Sequence, residues 1–303
     1  MHNRGPFLAA LSGALLLSAS PALAQLPPPP TEVRAEKVAE GVYVLYGNGG
    51  NMGLSLGADA TFLIDDQFAP MTPAIQAAIA GLGAPPVRFV LNTHWHGDHT
   101  GGNENLGKAG AVIVAHDNVR ARMSVPQVIE FLQRAVPASP PAALPVITFS
   151  DEASFHLNGD EIRAIHVPHA HTDGDVLVYF HKANVLHAGD TFFNGGYPFI
   201  DVDSGGSVDG LIACVELMLE MSDDDTRIIP GHGPLAGRAE LLVYRDMLVA
   251  TRESIGALVA EGLDDEAILA AAPTADYDEQ WSSGFINGER YVRMIARALR
   301  EAH

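Results

Sequence analysis

The segment NTHWHGDHTGG, residues 92–102, places four potential metal ligands within six residues: His94, His96, Asp98 and His99. Imidazole nitrogens and carboxylate oxygens are the ligands that zinc prefers in catalytic sites. Alternate side chains of an extended segment share one side, so His94, His96 and Asp98 can converge, while His99 can face a neighbouring position. The segment therefore predicts parts of two adjacent coordination shells, whose remaining ligands must come from elsewhere in the chain.

Three later segments offer such ligands. PHAHTDGD contains His171, HAGDT contains Asp190, and IIPGHGP contains His232. Each follows a predicted strand and is itself followed by glycine or a turn, where loops on a rigid scaffold commonly carry functional groups.

Strands and helices that could position these residues alternate in two successive sets, which predicts an α/β protein with helices on the outer faces of its sheets. The apolar patterning predicts helices at 73–82, 119–136 and 208–221, and a mostly helical tail from residue 238. A proline-rich link is expected at 137–145. The predicted strands are 42–46, 61–64, 87–91, 111–115, 153–157, 161–167, 176–180, 184–187 and 226–230.

The N-terminal region is expected to be a processed leader. Arg4 precedes a short apolar run, and Ala22-Leu23-Ala24 gives the small-x-small pattern of a signal-peptidase site. We therefore predict a signal peptide at 1–24, a proline-rich linker at 25–34, and one domain at 35–303 with a helical C-terminal tail. Export to the periplasm or secretion follows from this organisation.

Composition limits the partners. The formal net charge is −19, with no basic stripe, which argues against a nucleic-acid partner. No segment is long and apolar enough to predict a membrane span. Cys214, the single cysteine, lies among apolar residues and is expected to be buried.

The combined motifs HWHGDH, HTDGD, GDT and PGHG, at about residues 42–233, resemble the metallo-β-lactamase-fold hydrolase superfamily, which includes β-lactamase-like and glyoxalase II-like dinuclear enzymes. The resemblance implies a four-layer αβ/βα sandwich with two metals at the sheet edges. It also implies two ligand sets, with Asp190 bridging them. The first set is His94, His96 and His171, and the second is Asp98, His99 and His232.

The other histidines fit the site less well. His169 lies two residues before His171, but the Thr-Asp-Gly that follows His171 favours the latter. His116 is expected at the surface, with the cleft as the alternative, and His187 is expected to pack behind Asp190. Asp65 matches a family aspartate that supports the loop at 94–99, called the ligand loop below. An ordinary role as a turn aspartate would explain its position equally well.

Two Zn²⁺ ions are expected, with Fe or Mn as other candidates. A dinuclear site with two aspartates and a bridging hydroxide carries a charge of about +1, which lowers the pKa of bound water and suits an anionic small-molecule substrate. We therefore predict a hydrolase whose metal-bound hydroxide opens an amide, ester, lactone or thioester bond, with β-lactams among the candidates. Asp98 is expected to orient the nucleophile and help to move its proton.

The choice of substrate stays open at this point. Many of the superfamily's β-lactamases carry cysteine where this chain has Asp190, and the tail beyond Arg238 lacks an obvious basic cluster for glutathione. The GNGGNMG loop at 47–53 is either a flap over the site or a hairpin turn. The segment 192–207 is expected to line the cleft, with Asn194 and Tyr197 as substrate contacts.

Two other classes of function remain as alternatives. One is an iron-dependent sulfur oxygenase, which would need only the first ligand set. The other is a periplasmic accessory protein that binds zinc for structure, which the open two-metal pattern disfavours.

Overall fold

The computed structural model describes residues 1–2 and 32–301. Except for residues 1–2, the predicted leader lies outside the described residues, and so does most of the predicted linker. In chain order the strands are β1 (Arg34–Ala39), β2 (Val42–Tyr46), β3 (Met52–Leu56), β4 (Thr61–Ile64), β5 (Val87–Leu91), β6 (Val112–His116), β7 (Gln127–Ile129), β8 (Arg134–Val136), β9 (Ile147–Phe149), β10 (Glu152–Leu157), β11 (Asp160–Val167), β12 (Asp175–Phe180), β13 (Val185–Phe193) and β14 (Arg227–His232). The helices are α1 (Thr72–Gly81), α2 (Gly97–Thr100), α3 (Asn103–Lys108), α4 (Asp117–Met123), α5 (Val208–Met221), α6 (Arg238–Ala260), α7 (Asp265–Ala270), α8 (Ala275–Trp281) and α9 (Gly288–Glu301).

Two mixed sheets form the centre of the fold. The first has the strand order β1-β2-β3-β4-β5-β6-β9, and the second has the order β10-β11-β12-β13-β14. In the first sheet β4, β5, β6 and β9 are parallel, and in the second β13 and β14 are parallel. Parallel neighbours end at the same edge of their sheet, so the segments that follow β4 and β5 emerge side by side, as do the ends of β13 and β14.

The alternation of side chains along each strand builds three apolar layers. In β4, Phe62 and Ile64 face the second sheet, whereas Leu63 faces α1. In β12, Val178 faces the first sheet, whereas Leu177 packs towards the C-terminal helices. All five side chains are fully buried, and each such burial stabilises the fold by roughly 1.5–3 kcal/mol.

The layers therefore run helix, sheet, sheet, helix. Helices α1 and α3 cover the first sheet, and α5, α6 and α9 cover the second. This arrangement confirms the predicted α/β class and the four-layer αβ/βα sandwich. None of the helices between residues 32 and 301 has the length and apolar character needed to cross a bilayer.

One predicted helix is wrong in its second half. The pattern predicts a helix over 119–136, but α4 ends at Met123, and β7 and β8 then pair as an antiparallel hairpin. Pro126 precedes β7, and proline disfavours the helical conformation at the residue before it. The turn of the hairpin is also tied to the rest of the fold, because the Glu130 N–H donates to Asp203 Oδ2 at 2.8 Å.

Candidate metal centre

Four segments bring the seven predicted ligands to one edge of the two sheets. The segment after β5 supplies His94, His96, Asp98 and His99, and the turn between β11 and β12 supplies His171. Strand β13 extends to Phe193, beyond its predicted end, so Asp190 lies within the strand; His232 is the last residue of β14. The structure thus brings together every residue named as a ligand, and their binding of metal stays a prediction.

The first group consists of His94, His96, His171 and Asp190, all buried, with one ligand atom from each lying within 4.8 Å of the others. His96 Nδ1 lies 2.9 Å from His171 Nε2. Asp190 Oδ2 lies 3.8 Å from His94 Nε2 and 3.7 Å from His171 Nε2. Three imidazoles and one carboxylate oxygen therefore surround a common point, as in a catalytic zinc site.

The second group consists of Asp98, His99, Asp190 and His232, whose ligand atoms again lie within 4.8 Å of one another. Asp190 Oδ1 lies 3.0 Å from His99 Nε2 and 3.4 Å from His232 Nε2. Asp98 Oδ2 lies 3.3 Å from His232 Nε2. Asp190 thus presents one oxygen to each group, which is the geometry required of a bridging ligand.

Unsatisfied buried atoms test whether this cluster fits a cation. His94 Nε2, His99 Nε2 and Asp190 Oδ1 have no hydrogen-bond partner among the described residues. Although His99 Nε2 and Asp190 Oδ1 lie 3.0 Å apart, they do not form a hydrogen bond of acceptable geometry. Buried polar atoms without partners are rare in folded proteins, and all three face the space between the ligands. The donor set therefore fits two divalent cations.

Asp65 orients two of the candidate ligands by hydrogen bonds, His99 directly and His94 through Thr93. Its Oδ2 accepts a hydrogen bond from His99 Nδ1 at 2.7 Å and another from Thr93 Oγ1 at 2.8 Å. Its Oδ1 accepts from the Thr93 N–H at 2.7 Å, and Thr93 Oγ1 in turn lies 3.1 Å from His94 Nδ1. With Nδ1 of both imidazoles engaged, Nε2 of His94 and His99 is left to face the centre. Asp65 therefore supports the ligand loop and is more than a turn residue.

Asp201 orients the ring of His96 in the same way and also bonds the backbone of His171; it was not singled out from the sequence. Its Oδ2 accepts from His96 Nε2 at 2.9 Å, and its N–H donates to the carbonyl of His171 at 2.9 Å. His171 Nδ1 donates to the Phe199 carbonyl at 2.6 Å. The only sequence signal is the position of Asp201 in the segment 192–207, which was expected to line the cleft.

The protonation of the histidines separates them into two kinds. Burial lowers the pKa of His94 well below its ordinary value and that of His171 to about 4, so both are neutral and ready to coordinate. In the second group burial again acts to lower the histidine pKa, but the Asp190 carboxylate outweighs it. The pKa of His99 is raised well above its usual range, and that of His232 is raised to about 9. In metal-free protein, protons on His99 and His232 therefore supply positive charge where a second cation would lie.

The glycine-rich loop between β2 and β3 packs directly on the second group. The Gly50 N–H donates to the Asp98 carbonyl at 3.1 Å, and the Asn51 N–H donates to the Gly231 carbonyl at 2.7 Å. A Cβ on Gly50 would lie 2.1 Å from His99 Cε1, so only glycine lets the loop approach this ring. The loop is thus a hairpin turn that forms one wall of the site.

A cavity of about 510 Å³ opens onto the second group. Its volume is in the range of small-molecule sites, and most of its wall is apolar or aromatic. The apolar and aromatic residues that line it are Phe68, Trp95, Ile129, Leu132, Val136, Phe193, Tyr197, Phe199, Phe285 and Ile286. Asn194 and Tyr197, expected as substrate contacts, both line the cavity, but the Tyr197 hydroxyl donates to Asp278 at 2.9 Å.

The other histidines of the described residues lie outside both groups. His169 is exposed, with its Nδ1 2.9 Å from the Gly205 carbonyl. His116 is buried and stacks on His166 at 3.7 Å between ring centroids, so it lies neither at the surface nor in the cavity. His187 is buried behind the site, with Nε2 3.2 Å from the Asn51 carbonyl.

Comparison with known proteins gives one family and one fold. Residues 47–232 match the model of the metallo-β-lactamase superfamily. Among solved structures, the chain is similar to a metallo-β-lactamase from Pontibacter korlensis, with a TM-score of 0.59, 18% identity, and coverage of 72% of this chain and 99% of that one. The DIM-1 metallo-β-lactamase gives a TM-score of 0.57 and 19% identity, with coverage of 72% and 97%. At these identities the structural similarity establishes the fold alone.

Several curated relatives are hydroxyacylglutathione hydrolases. The protein from Polaromonas sp. is 31% identical over 159 residues, which cover 52% of each chain. The protein from Methylococcus capsulatus is 32% identical over 139 residues, which cover 45% of this chain and 44% of the relative. The matched regions therefore span about half the length of these relatives or less.

Proposed function

Since this chain belongs to the metallo-β-lactamase superfamily, we propose that it is a metal-dependent hydrolase that opens an ester, lactone, thioester or amide bond in a small molecule. One observation carries the proposal: two ligand groups share Asp190, and the second group opens onto the apolar cavity. A metal site that serves structure alone is normally closed by protein ligands, so the open side favours catalysis.

The donor set favours Zn²⁺ at both positions, with Fe and Mn as other occupants. Two divalent cations held by these residues would supply Lewis acidity to a carbonyl oxygen and lower the pKa of a coordinated water. Net hydrolysis adds the oxygen of one water to the carbonyl carbon and delivers a proton to the leaving group.

Asp98 is the residue of this chain best placed to handle that proton. It lines the cavity, its side chain is 26% exposed, and its Oδ2 lies 3.3 Å from His232 Nε2. Burial works to raise the pKa of Asp98, but His99 and His232 outweigh it and hold the pKa at about 2. Asp98 is therefore a carboxylate at neutral pH, able to orient an attacking water and accept its proton.

The substrate class is narrowed by the walls of the cavity. The named activity of the curated relatives supports a thioester as one candidate. However, Arg134 is the only lysine or arginine among the described residues that line the cavity, which favours a largely apolar substrate over glutathione with its several charged groups. β-Lactams remain a candidate to be tested, because the structural neighbours named as β-lactamases share only the fold with this chain.

The test is a screen of metal-replete protein against β-lactams, lactones, esters and thioesters, with metal content measured in parallel. Asp98→Asn keeps the shape of the side chain but removes its charge, and it should reduce turnover by about 10²–10⁴-fold, with partial recovery at higher pH. His169→Ala is the control, since His169 is exposed outside both groups and should leave turnover unchanged.

Two results would contradict the proposal. One is an Asp98→Asn variant that keeps both metals and the wild-type rate. The other is protein that holds iron and consumes oxygen with a sulfur substrate but hydrolyses nothing in the screen, which would favour an oxygenase.

A further inference from the structure

The hairpin formed by β7 and β8 covers one side of the cavity. Ile129 pairs with Arg134 across the two strands, and alternate side chains of a strand share a face. On this hairpin Ile129, Arg134 and Val136 line the cavity, whereas Val128 lies on the opposite face and is 60% exposed. The hairpin thus contributes one cation to a wall that is otherwise apolar.

Arg134 has no counter-ion in the described part of the chain. It forms neither an ion pair nor a side-chain hydrogen bond with any residue described, in contrast to two arginines that contact the turn of the hairpin. Arg297 is paired with Asp203, and Arg290 lies over the rings of Phe131 and Phe285 at 5.4 and 5.0 Å. A guanidinium without a partner beside an apolar cavity is suited to bind an anionic group of a ligand.

The guanidinium also lies next to the ligand loop. Arg134 Nη2 is 3.9 Å from the point where a Cβ on Gly97 would be, and Gly97 separates the ligands His96 and Asp98. An anion bound by Arg134 would therefore lie within the length of one small molecule of the metal centre. The scissile bond and the anionic group can then belong to the same substrate.

Contacts at the turn of the hairpin fix its position. The Glu130 N–H donates to Asp203 Oδ2 at 2.8 Å, and the Phe131 ring stacks on Phe199 at 5.9 Å between centroids. Phe199 also accepts the hydrogen bond of the ligand His171. Arg134 is thus presented by an element that packs against the same residues as the metal centre.

We propose that Arg134 is the residue that binds the anionic group of the substrate, and that the substrate class is small apolar molecules with one carboxylate a few bonds from the scissile carbonyl. This inference rests on the proposed hydrolase function. The inference adds a preference for anionic substrates, because the fold and the ligand sets by themselves are compatible with neutral substrates as well.

The experiment compares two matched pairs of probes on metal-loaded protein. Phenyl hydrogen adipate and phenyl hexanoate differ in a terminal carboxylate, and their hydrolysis is followed as kcat/KM through the release of phenol. Adipic acid monoanilide and hexananilide form the amide pair, whose binding is measured by calorimetry. We expect the anionic member of each pair to be preferred by about tenfold, the low end of a charge-assisted hydrogen bond, because Arg134 is solvent-exposed.

Arg134→Gln should abolish this preference, and Arg134→Lys should retain part of it. Arg245→Gln removes the same charge from α6, away from the cavity, and should leave the preference intact. Added salt should weaken the preference in the wild type, since an exposed guanidinium is screened.

Two outcomes would overturn the inference. The first is equal kcat/KM and equal affinity of the wild type for the two members of each pair. The second is a preference for the anionic member that survives in Arg134→Gln, which would place the carboxylate on the metals. Failure of the proposed function is distinguishable from either. If no ester is cleaved, the anilide pair still shows whether Arg134 selects an anion.

Discussion

Replacing Gly50 by alanine tests the second ligand group without touching a ligand. An ideal Cβ on Gly50 would lie 2.1 Å from His99 Cε1 and 2.3 Å from His99 Nε2, whereas ordinary contacts begin at about 3.4 Å. The ring would have to retreat by about 1.3 Å to restore contact distance. Because metal–ligand distances vary by only about 0.2 Å in good sites, such a shift removes His99 as a ligand.

The ring has no free space behind it. His99 is fully buried, and its Nδ1 is bound to Asp65 at 2.7 Å, so a retreat also strains that hydrogen bond. Inserting a methyl group into a packed interior typically costs 1–3 kcal/mol, and we expect Gly50→Ala to lose about that much stability. In a His99→Ala background the clash disappears. The loss of unfolding free energy caused by Gly50→Ala should therefore be smaller there than in the wild type, by about 1 kcal/mol or more.

The assay is metal content after gel filtration, together with thermal unfolding of metal-free protein. Wild type should hold close to two ions per chain, and Gly50→Ala close to one, because the first group does not contain His99. Gly81→Ala is the matched control, since a Cβ there meets nothing within 4 Å at the end of α1. Gly50→Ala protein that holds two ions with wild-type affinity would refute the reasoning, as would a penalty that persists unchanged without the His99 ring.

Three further predictions concern the ligands, pH and export. Asp190→Ala should loosen both ions, whereas His169→Ala should not; metal titration would show it, and retention of both ions by Asp190→Ala would rule out a bridge. The raised pKa of His232, about 9, means that in metal-free protein its proton stabilises the fold fully below about pH 6.5, and that this contribution is lost as pH rises through about 9. Since a metal must displace that proton, affinity at the second group should rise over the same window, and a flat pH profile would contradict the assignment. Finally, we expect export with cleavage after Ala24, which N-terminal analysis of protein from the cell envelope checks; protein found only in the cytoplasm with its leader intact would count against it.

The clustering of the seven candidate ligands could be predicted from the sequence and the family resemblance, because metal coordination restricts residue type, spacing and position in the same segments. His171 follows strand β11, and His232 ends strand β14; the sequence predicts the bounds of both strands within one or two residues. Helix α5, with apolar residues at helical spacing, was predicted with its exact bounds. Local signals sufficed for these elements but not for every buried one, because strand β3 was not among the predicted strands.

The residues behind the ligands were harder to predict. Asp65 was recognised as a candidate only through the family resemblance, and its contact with His99 crosses 34 positions of the chain. Asp201 lies 105 positions from His96, and nothing in its neighbourhood distinguishes it from other acidic loop residues. Its role depends on the tertiary fold, because the fold alone places its carboxylate at His96 Nε2.

The hairpin at 127–136 shows why the substrate side of the site could not be predicted. Val128, Phe131, Leu132 and Ala135 recur at helical spacing, so the local pattern favours a helix. The fold overrides that pattern with contacts to distant residues, including Asp203 at the turn. A helix would place Arg134 on a different face, so no inference about its approach to Gly97 was possible before the hairpin was known.

The two halves of the site differ in what they demand of the sequence. Each metal ligand must be a particular residue type with its coordinating atom at a particular position, whereas an apolar wall accepts many side chains of similar size. Apart from the ligand motifs, the cavity is built from separate segments around residues 48, 68, 132, 195 and 285, with no shared motif. The position of the candidate ligands was therefore predictable from motifs, whereas the shape of the cavity depends on which chain segments the fold brings to its rim. Arg134 connects the two, because it lies on a segment without a motif and yet next to the loop that carries the ligands.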